Sequence, residues 1–230
     1  MRINGIQKLT LLDFPGRTAC TVFLAGCDMR CPFCHNADLL DASAEAVMDD
    51  QELIAFLEKR KGLLDGVAFT GGEPLLRKEL PQLMERIRDL GYQIKLDTNG
   101  CHPDALRAVL DAGLVDYAAM DIKNSPERYA ETAGVAHVDM DRIGESIDLL
   151  RTKAPDYEFR TTVVAQLHDK DSFRAIGQWL AGAKRYFLQA FTDRDTVAFA
   201  GFSAPSREEM EEYRRILEPF IPSVQLRGVL

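Results

Sequence analysis

The stretch TACTVFLAGCDMRCPFC, residues 18–34, decides the fold and the chemistry that the sequence predicts. Its first nine residues form an apolar run, which indicates a buried strand. Cys27, Cys31 and Cys34 follow in the spacing C-x3-C-x2-C, so one loop holds three of the five cysteines in the chain. Clustered thiols in a reducing compartment predict a metal site rather than disulfide bonds.

The rest of the chain repeats a strand, a loop and a helix in the same order. Further strand-like runs lie at residues 66–70, 93–98, 117–123, 157–164 and 185–191. Apolar residues at helical spacing predict helices around residues 80–90, 106–110, 140–150, 173–180 and 206–217. Six β-then-α units of one polarity predict an α/β fold of parallel strands with right-handed crossovers. An open doubly wound sheet and a full or partial (β/α) barrel both fit, and in both the chemistry lies at the carboxyl ends of the strands.

The composition excludes several classes of function. The 230 residues are 46% hydrophobic and 28% charged, which suits a soluble chain with a substantial core. The formal net charge is −8 and the basic residues form no run, which argues against nucleic acid as a partner. No segment resembles a signal peptide or a membrane span, so we expect a cytoplasmic protein with no membrane partner.

Polar residues follow four successive predicted strands. The cysteines follow the first strand, a Gly-Gly-Glu turn at 71–73 follows the second, and an Asp-Thr-Asn-Gly turn at 97–100 ends the third. Asp121 and Lys123 end the fourth strand. Each motif alone is ordinary turn or surface chemistry, but parallel strands bring all four to one edge. Their joint placement indicates a binding site there.

Charged residues within the strands allow two interpretations. Lys95 shares a strand face with Asp97, because side chains alternate along a strand. If such faces point inward, together with Arg160, the interior is polar and open to a substrate. Surface ion pairs are the equal alternative for Lys95 and Arg160.

The identity of the bound metal follows from the number of thiols. CPFCH, residues 31–35, matches a haem attachment site, but that interpretation needs export and leaves Cys27 unexplained. A redox pair needs no third thiol, and zinc requires a fourth ligand that His35, adjacent to Cys34, supplies poorly. Three thiolates suit a [4Fe–4S] cluster with one iron left open for a small molecule.

The order of these motifs resembles that of the radical S-adenosylmethionine (radical SAM) enzymes. CPFCHN, FTGGEPLL, LDTNG and MDIK occur in the family's order over nearly the whole chain. The resemblance implies a single-domain, partial (β/α)6 TIM-like barrel over residues 1–230. Residues 1–17 would form an N-terminal segment, 18–200 the barrel, and 201–230 a C-terminal helix and tail.

Within this family, the stretches GIQKLTLLDFPG and CPFCHNADLL are similar to the activating enzymes of glycyl radical enzymes. The greatest similarity is to the activating protein of anaerobic ribonucleotide reductase, and pyruvate formate-lyase activating enzyme is a close relative. The resemblance implies reductive cleavage of S-adenosylmethionine to a 5′-deoxyadenosyl radical. That radical would remove a hydrogen atom from a glycine of the partner enzyme.

The resemblance also implies roles for single residues in the cysteine loop. The implied cluster ligands are Cys27, Cys31 and Cys34. Phe33 would flank the adenine of S-adenosylmethionine, and His35 and Asn36 would lie close to its nucleoside.

The remaining implied cofactor residues lie at strand ends. Those implied to receive the methionyl ammonium are Gly71, Gly72 and Glu73, and Lys123 would pair with the methionyl carboxylate. Positions similar to those for a monovalent cation and the ribose are Asp97, Thr98 and Asp121. The formate-lyase activator has a histidine after the sixth strand, where this chain has Thr192, and Gln189 is the candidate substitute. No catalytic side chain is expected beyond the cluster and the cofactor.

Partners and alternatives complete the prediction. Residues 35–70 contain no cysteine for a second cluster, so an external electron donor such as flavodoxin is expected. The alternatives are a radical SAM enzyme acting on a small molecule or peptide and, more distantly, a non-catalytic zinc or redox module. Cys20 is expected to be a buried thiol and Cys101 to pack beside the site. The loop at 191–205 gives no chemical interpretation.

Overall fold

The computed structural model describes residues 1–229. Within it the chain forms two compact units. The first comprises Met1–Asp28, Asp38–Ala119 and Arg142–Asp156. The second comprises Met29–Ala37, Met120–Asp141 and the residues from Tyr157 onward. The cysteine loop therefore begins in the first unit and continues in the second.

Strands and helices alternate along most of the chain. The strands are β1 (Arg2–Ile3), β2 (Gly5–Thr10), β3 (Ala19–Leu24), β4 (Met48–Asp49), β5 (Gly66–Gly71), β6 (Gln93–Thr98), β7 (Tyr117–Asp121), β8 (Tyr157–Val163), β9 (Tyr186–Ala190) and β10 (Val224–Arg227). The helices are α1 (Asp50–Glu58), α2 (Leu80–Asp89), α3 (Pro103–Asp111), α4 (Tyr129–Ala133), α5 (Met140–Lys153), α6 (Lys170–Trp179) and α7 (Arg207–Leu217). Short 3-10 turns lie at Ala37–Leu39, Pro74–Leu76 and Pro126–Arg128.

The first unit contains a mostly parallel sheet in the order β6-β5-β3-β2. β3 pairs in parallel with β5, β5 pairs in parallel with β6, and β2 lies antiparallel beside β3. Every residue of β3 except Phe23 is buried, as expected for a strand inside a sheet. The carboxyl ends of the three parallel strands lie at one edge, which brings Cys27, the turn 71–73 and the turn 97–100 to that edge.

The second unit has its own parallel strands, in the order β10-β9-β8. Helix α7 begins at a capping box, in which Ser206 and Glu209 exchange hydrogen bonds of 2.8 and 3.2 Å. Helices α6 and α7 pack through the stacked rings of Phe173 and Tyr213, whose centroids are 4.5 Å apart. These contacts bury the apolar faces that the sequence predicts for both helices.

The structure contains the six predicted strands and the five predicted helices, and it confirms the α/β class. It adds elements that were not predicted: β1, β2, β4, β10, α1 and α4. Among residues 1–229, no helix combines the length and apolar character needed to cross a membrane.

Candidate active site

The glycine pair after β5 lies against the backbone that leads into the cysteine loop. Gly71 has a φ of 119°, and a Cβ there would lie 2.5 Å from the backbone N and O of Leu24. A Cβ on Gly72 would lie 2.2 Å from Gly26 O. The Gly72 N–H donates to Leu24 O and the Glu73 N–H donates to Gly26 O, both at 2.8 Å. Only glycine permits this approach, so the turn fixes the backbone just before the first cysteine.

The Glu73 carboxylate is fully buried and joins the end of β5 to the end of β6. Its Oε1 accepts hydrogen bonds from the Leu75 N–H and the Thr98 hydroxyl, both at 3.0 Å. Its Oε2 accepts the Asn99 N–H at 2.7 Å. Burial raises the pKa of Glu73 to about 7, although these hydrogen bonds oppose the shift. Both carboxylate oxygens therefore accept hydrogen bonds from groups within the protein.

A hydrogen-bond network that the sequence did not reveal lies beside Cys27. The Asn99 Nδ2 donates to Asp28 Oδ1 at 2.7 Å and lies 3.9 Å from the Cys27 sulfur. His102 Nε2 lies 2.9 Å from Asp28 Oδ2. Burial opposes ionisation of Asp28, but the hydrogen bonds from His102 and Asn99 lower its pKa to about 2. The same contact raises the pKa of His102, so an ion pair stands next to the first cysteine.

Lys95 and Asp97 on β6 form a buried ion pair. Lys95 is only 2% exposed, so the alternative of a surface ion pair is wrong for this residue. Thr98 is buried next to them and accepts a hydrogen bond from the Gly100 N–H at 3.1 Å.

In the second unit, Cys31 and Cys34 lie on one tight turn. The Cys34 N–H donates to Cys31 O at 3.1 Å, and Cys31 is 8% exposed. Burial raises the pKa of the Cys31 thiol, and the nearby charge of Lys123 opposes that shift. A positive charge near a buried thiol favours its thiolate form, which is the form that binds metals.

Asp121, at the end of β7, is paired with two cations. Its Oδ1 lies 2.5 Å from Arg160 Nε, and its Oδ2 lies 2.9 Å from Lys123 Nζ. Burial opposes ionisation, yet the charges of Arg160 and Lys123 hold the pKa of Asp121 well below its usual range. Asp121 in turn raises the pKa of Lys123 against the effect of burial. These three side chains stay charged at neutral pH, and together they carry one net positive charge.

Aromatic rings surround the rest of the cysteine loop. Phe33 is 5% exposed and meets Phe191 and Phe202 edge-on, with centroids 6.4 Å apart in both cases. His35 stacks on Phe191 at 5.4 Å, and its Nε2 lies 2.6 Å from the carbonyl oxygen of Thr192. The loop at 191–205, which gave no chemical interpretation from sequence, thus packs onto the cysteine loop.

The structure also places the remaining predicted residues. A cavity of about 10 Å³, room for one water, is lined by Phe33, Asp121, Ile122, Lys123 and Thr162. Gln189 lies in β9 opposite Arg227 of β10 and Thr162 of β8. Asn36 is half-buried in the cysteine loop.

The cysteine loop fits a metal cluster by the chemistry of its donors. No disulfide joins any of the five cysteines in the described chain. Within residues 1–229, no three side chains of the metal-binding types are already gathered into a metal site. The fit therefore rests on three thiols in one loop, the tight turn between Cys31 and Cys34, and the positive charge of Lys123.

Comparison with known protein families identifies the chain. The family described as the Radical SAM superfamily matches residues 21–174, from β3 through most of α6. The chain therefore belongs to the radical SAM superfamily, and it is an enzyme of that oxidoreductase class. Membership implies a [4Fe–4S] cluster and S-adenosylmethionine as cofactors.

Three individual proteins of similar sequence belong to more specific classes of enzyme. The chain is 28% identical to a protein of Methanocaldococcus jannaschii provisionally named a glycyl-radical enzyme activating enzyme, over 99% of this chain and 96% of that protein. It is 33% identical to the pyruvate formate-lyase-activating enzyme of Clostridium pasteurianum over 54% of this chain and 52% of that enzyme. It is 32% identical to the 7-carboxy-7-deazaguanine synthase of Thermococcus kodakarensis over 50% of this chain and 53% of that enzyme.

Solved structures confirm the fold. SuiB of Streptococcus suis, bound to its precursor peptide SuiA, matches with a TM-score of 0.71 at 11% identity. The match covers 89% of this chain and 48% of SuiB, so the chain spans about half of that enzyme. A structure of SuiB bound to S-adenosylmethionine also matches, with a TM-score of 0.65 at 11% identity, over 90% of this chain and 52% of that one. These neighbours agree with the predicted partial TIM-like barrel.

The site contains more than the sequence predicted. The prediction names the cysteine loop, the turn 71–73 and the charged strand ends as parts of the site. It missed Asn99 and His102, whose contacts with Asp28 depend on pairing between distant strands. The asparagine of the turn 97–100 was the available signal, but its partner cannot be read from spacing.

Proposed function

We propose that the chain is an activating enzyme for a glycyl radical enzyme. The observation that carries the proposal is the similarity to the Methanocaldococcus jannaschii protein, which extends over 99% of this chain and 96% of that one. The partial similarity to a pyruvate formate-lyase-activating enzyme supports the same class. In this proposal the whole chain acts as one core domain, and its thiols require a reducing compartment, namely the cytoplasm.

The proposed cluster ligands are Cys27, Cys31 and Cys34. The cluster and S-adenosylmethionine, when bound, supply the one-electron cleavage that starts the radical chemistry. The protein's contribution is to hold the thiols and to exclude water. Burial of Cys31 and the close packing of the glycine turn against residues 24–26 support that contribution.

The proposed contacts with S-adenosylmethionine involve the cysteine loop and the ends of later strands. Phe33 would pack against the adenine, and His35 and Asn36 would lie near the nucleoside. Thr192 stands where the formate-lyase activator has a histidine after the sixth strand, and Gln189 is the proposed substitute for that histidine. The Lys123 ammonium would pair with the methionyl carboxylate, because Arg160 balances the charge of Asp121 and the three groups together keep one net positive charge. The roles proposed for Asp97, Thr98 and Asp121 are those of the monovalent-cation and ribose-side positions.

The role proposed for the turn 71–73 is to receive the methionyl ammonium. The carbonyl oxygens of Gly71 and Gly72 are suitable acceptors for an ammonium group. The Glu73 carboxylate would act mainly through the shape of the turn, since its oxygens already accept three hydrogen bonds within the protein.

The proposed partner is anaerobic ribonucleotide reductase, with flavodoxin or a similar protein as the electron donor. A second candidate function is radical chemistry on a small molecule. The observation in its favour is the 32% identity to 7-carboxy-7-deazaguanine synthase, which covers half of the chain. The first proposal is preferred because its supporting relative matches from end to end.

The test is radical transfer to the partner. We would incubate the anaerobically reconstituted chain with dithionite, S-adenosylmethionine and anaerobic ribonucleotide reductase, and record the electron paramagnetic resonance spectrum. The expected result is a glycyl radical signal with the wild type and with Cys101→Ala, and no signal with Cys31→Ala. Cys101 is the matched control because it is a half-buried cysteine outside the C-x3-C-x2-C motif.

Two other results would contradict the proposal. Cleavage of S-adenosylmethionine without a glycyl radical would favour a different substrate, such as a small molecule. A normal radical yield from Cys31→Ala would remove this residue from the ligand set.

A further inference from the structure

The short helix α4 is held against the cysteine loop by backbone contacts. Its last carbonyl, that of Ala133, accepts a hydrogen bond from the Arg30 N–H at 2.9 Å. The final carbonyls of a helix have no partner within the helix, so this bond satisfies one of them from outside. It also fixes the backbone of the residue directly before Cys31.

Gly134, which ends α4, allows this contact. Its φ of 68° is left-handed, and its N–H donates to Glu131 O at 3.1 Å to close the helix end. A Cβ built on Gly134 would lie 2.0 Å from Arg30 O, 2.6 Å from Arg30 C and 3.2 Å from Cys31 N. Those atoms are backbone, so they cannot move aside without moving the loop.

Two other helix ends show that this contact is specific. Gly91 follows α2 with a φ of 93°, and Gly113 follows α3 with a φ of 64°. A Cβ at either position would meet nothing within 4 Å. All three glycines have a left-handed backbone conformation, but of these three only Gly134 also lies against the cysteine loop.

The other end of α4 is tied to the strand that carries the charged pair. Tyr129, its first residue, is fully buried, and its hydroxyl donates to Asp121 O at 3.2 Å. One helical turn thus contacts both the Arg30 backbone, directly before Cys31, and the end of β7. That arrangement connects the cysteine loop to the end of β7, where Asp121 and Lys123 lie.

We propose that Gly134 is a positioning residue, which sets the place of Cys31 by letting α4 close against Arg30. The consequence for cluster binding rests on the proposed function, whereas the docking of the loop does not. A side chain at position 134 would push residues 30–31 away from the end of α4 and so displace Cys31. Gly134 touches neither the cluster nor the cofactor itself.

The test compares Gly134→Ala with Gly113→Ala, which imposes the same left-handed strain without a contact. In cluster-free protein, we would measure the rate at which iodoacetamide alkylates Cys31, by mass spectrometry of the digested chain. The expected result is alkylation about tenfold faster in Gly134→Ala than in Gly113→Ala, since the loop would open more often. Equal rates in the two variants would overturn the proposal.

After anaerobic reconstitution, we would measure the iron retained under a chelator and the spectrum of the reduced cluster. Gly134→Ala is expected to retain iron about tenfold more weakly than Gly113→Ala, the size of effect seen when the support of a metal ligand is lost. Faster alkylation of Cys31 with unchanged iron retention would overturn the claim that this contact matters for the cluster.

A second pair of variants guards against misfolding. Asparagine adopts left-handed backbone more readily than alanine does, so Gly134→Asn and Gly113→Asn separate the contact from the strain. The same difference in alkylation is expected between them. If the wild type itself holds no iron, the proposed function fails, but the alkylation rates still decide the role of Gly134.

Discussion

At the residue scale, Glu73 shows how a predicted binding residue serves the protein's own structure. Its carboxylate is fully buried and accepts hydrogen bonds from Leu75, Thr98 and Asn99. These bonds join two strand ends that are far apart in the sequence. The shape of the turn 71–73 therefore depends on the side chain that follows the glycine pair.

Replacing Glu73 by alanine should destabilise the fold. The variant would leave buried donors without partners, so we expect the free energy of unfolding to fall by about 3 kcal/mol. The measurement is urea unfolding of cluster-free protein at constant pH. Glu79→Ala is the control, because this exposed glutamate makes no capping hydrogen bond, and its effect should stay within about 0.5 kcal/mol. Equal effects of the two substitutions would contradict the structural role of Glu73.

Residue spacing predicted the donor types of the site but not their partners. The loop Cys27–Cys34 and the turn 71–73 are local in sequence, so their chemistry could be read directly. The ion pair of Asp28 with His102 joins residues 74 positions apart, which the pairing of β3, β5 and β6 brings together. Lys95 likewise allowed two interpretations until its burial was known.

At the element scale, the buried His168 connects the segment after β8 to the residues after β7. Its Nε2 lies 2.8 Å from Lys123 O, and its Nδ1 accepts the Val164 N–H at 3.1 Å. Its ring also stacks on Phe173 of α6, at a centroid distance of 5.8 Å. A proton on Nδ1 would cost the hydrogen bond that this nitrogen accepts from the Val164 N–H.

This contact predicts that stability falls in mild acid. Burial lowers the pKa of His168 below its usual value of 6.5. Below pH 6.5, His168 binds a proton more readily in the unfolded chain than in the folded chain. The free energy of unfolding is therefore highest above pH 6.5 and decreases as the pH falls below 6.5. We expect the free energy of unfolding to drop less between pH 7.5 and 5.5 in His168→Gln than in the wild type. The exposed His137→Gln should behave like the wild type, and identical pH dependence in His168→Gln would refute the prediction.

The elements that the sequence missed are short or lack a strong period. Helix α4 has five residues and β10 has four, too few for a periodic pattern to emerge. Strand β2 lies at the sheet edge with three exposed residues, so its apolar signal is weak. Helix α1 did carry a readable signal, because Asp49 and Glu52 form a capping box at its start.

At the scale of the whole molecule, regular alternation of strands and helices made the fold class predictable. Each parallel strand needs a crossover to return to the same edge, and that requirement places polar strand ends together. Fold and cofactor chemistry are therefore readable from this sequence. The partner is not, since recognition of a protein substrate depends on loop surfaces that carry no fixed motif.

We expect this chain to cleave S-adenosylmethionine by radical chemistry. The most direct test is to measure 5′-deoxyadenosine formed by the anaerobically reconstituted protein with dithionite and S-adenosylmethionine, without any partner. We predict slow formation of 5′-deoxyadenosine by the wild type and none after replacement of Cys27, Cys31 and Cys34 by alanine. A protein with a complete iron–sulfur cluster that yields no 5′-deoxyadenosine would contradict the claim.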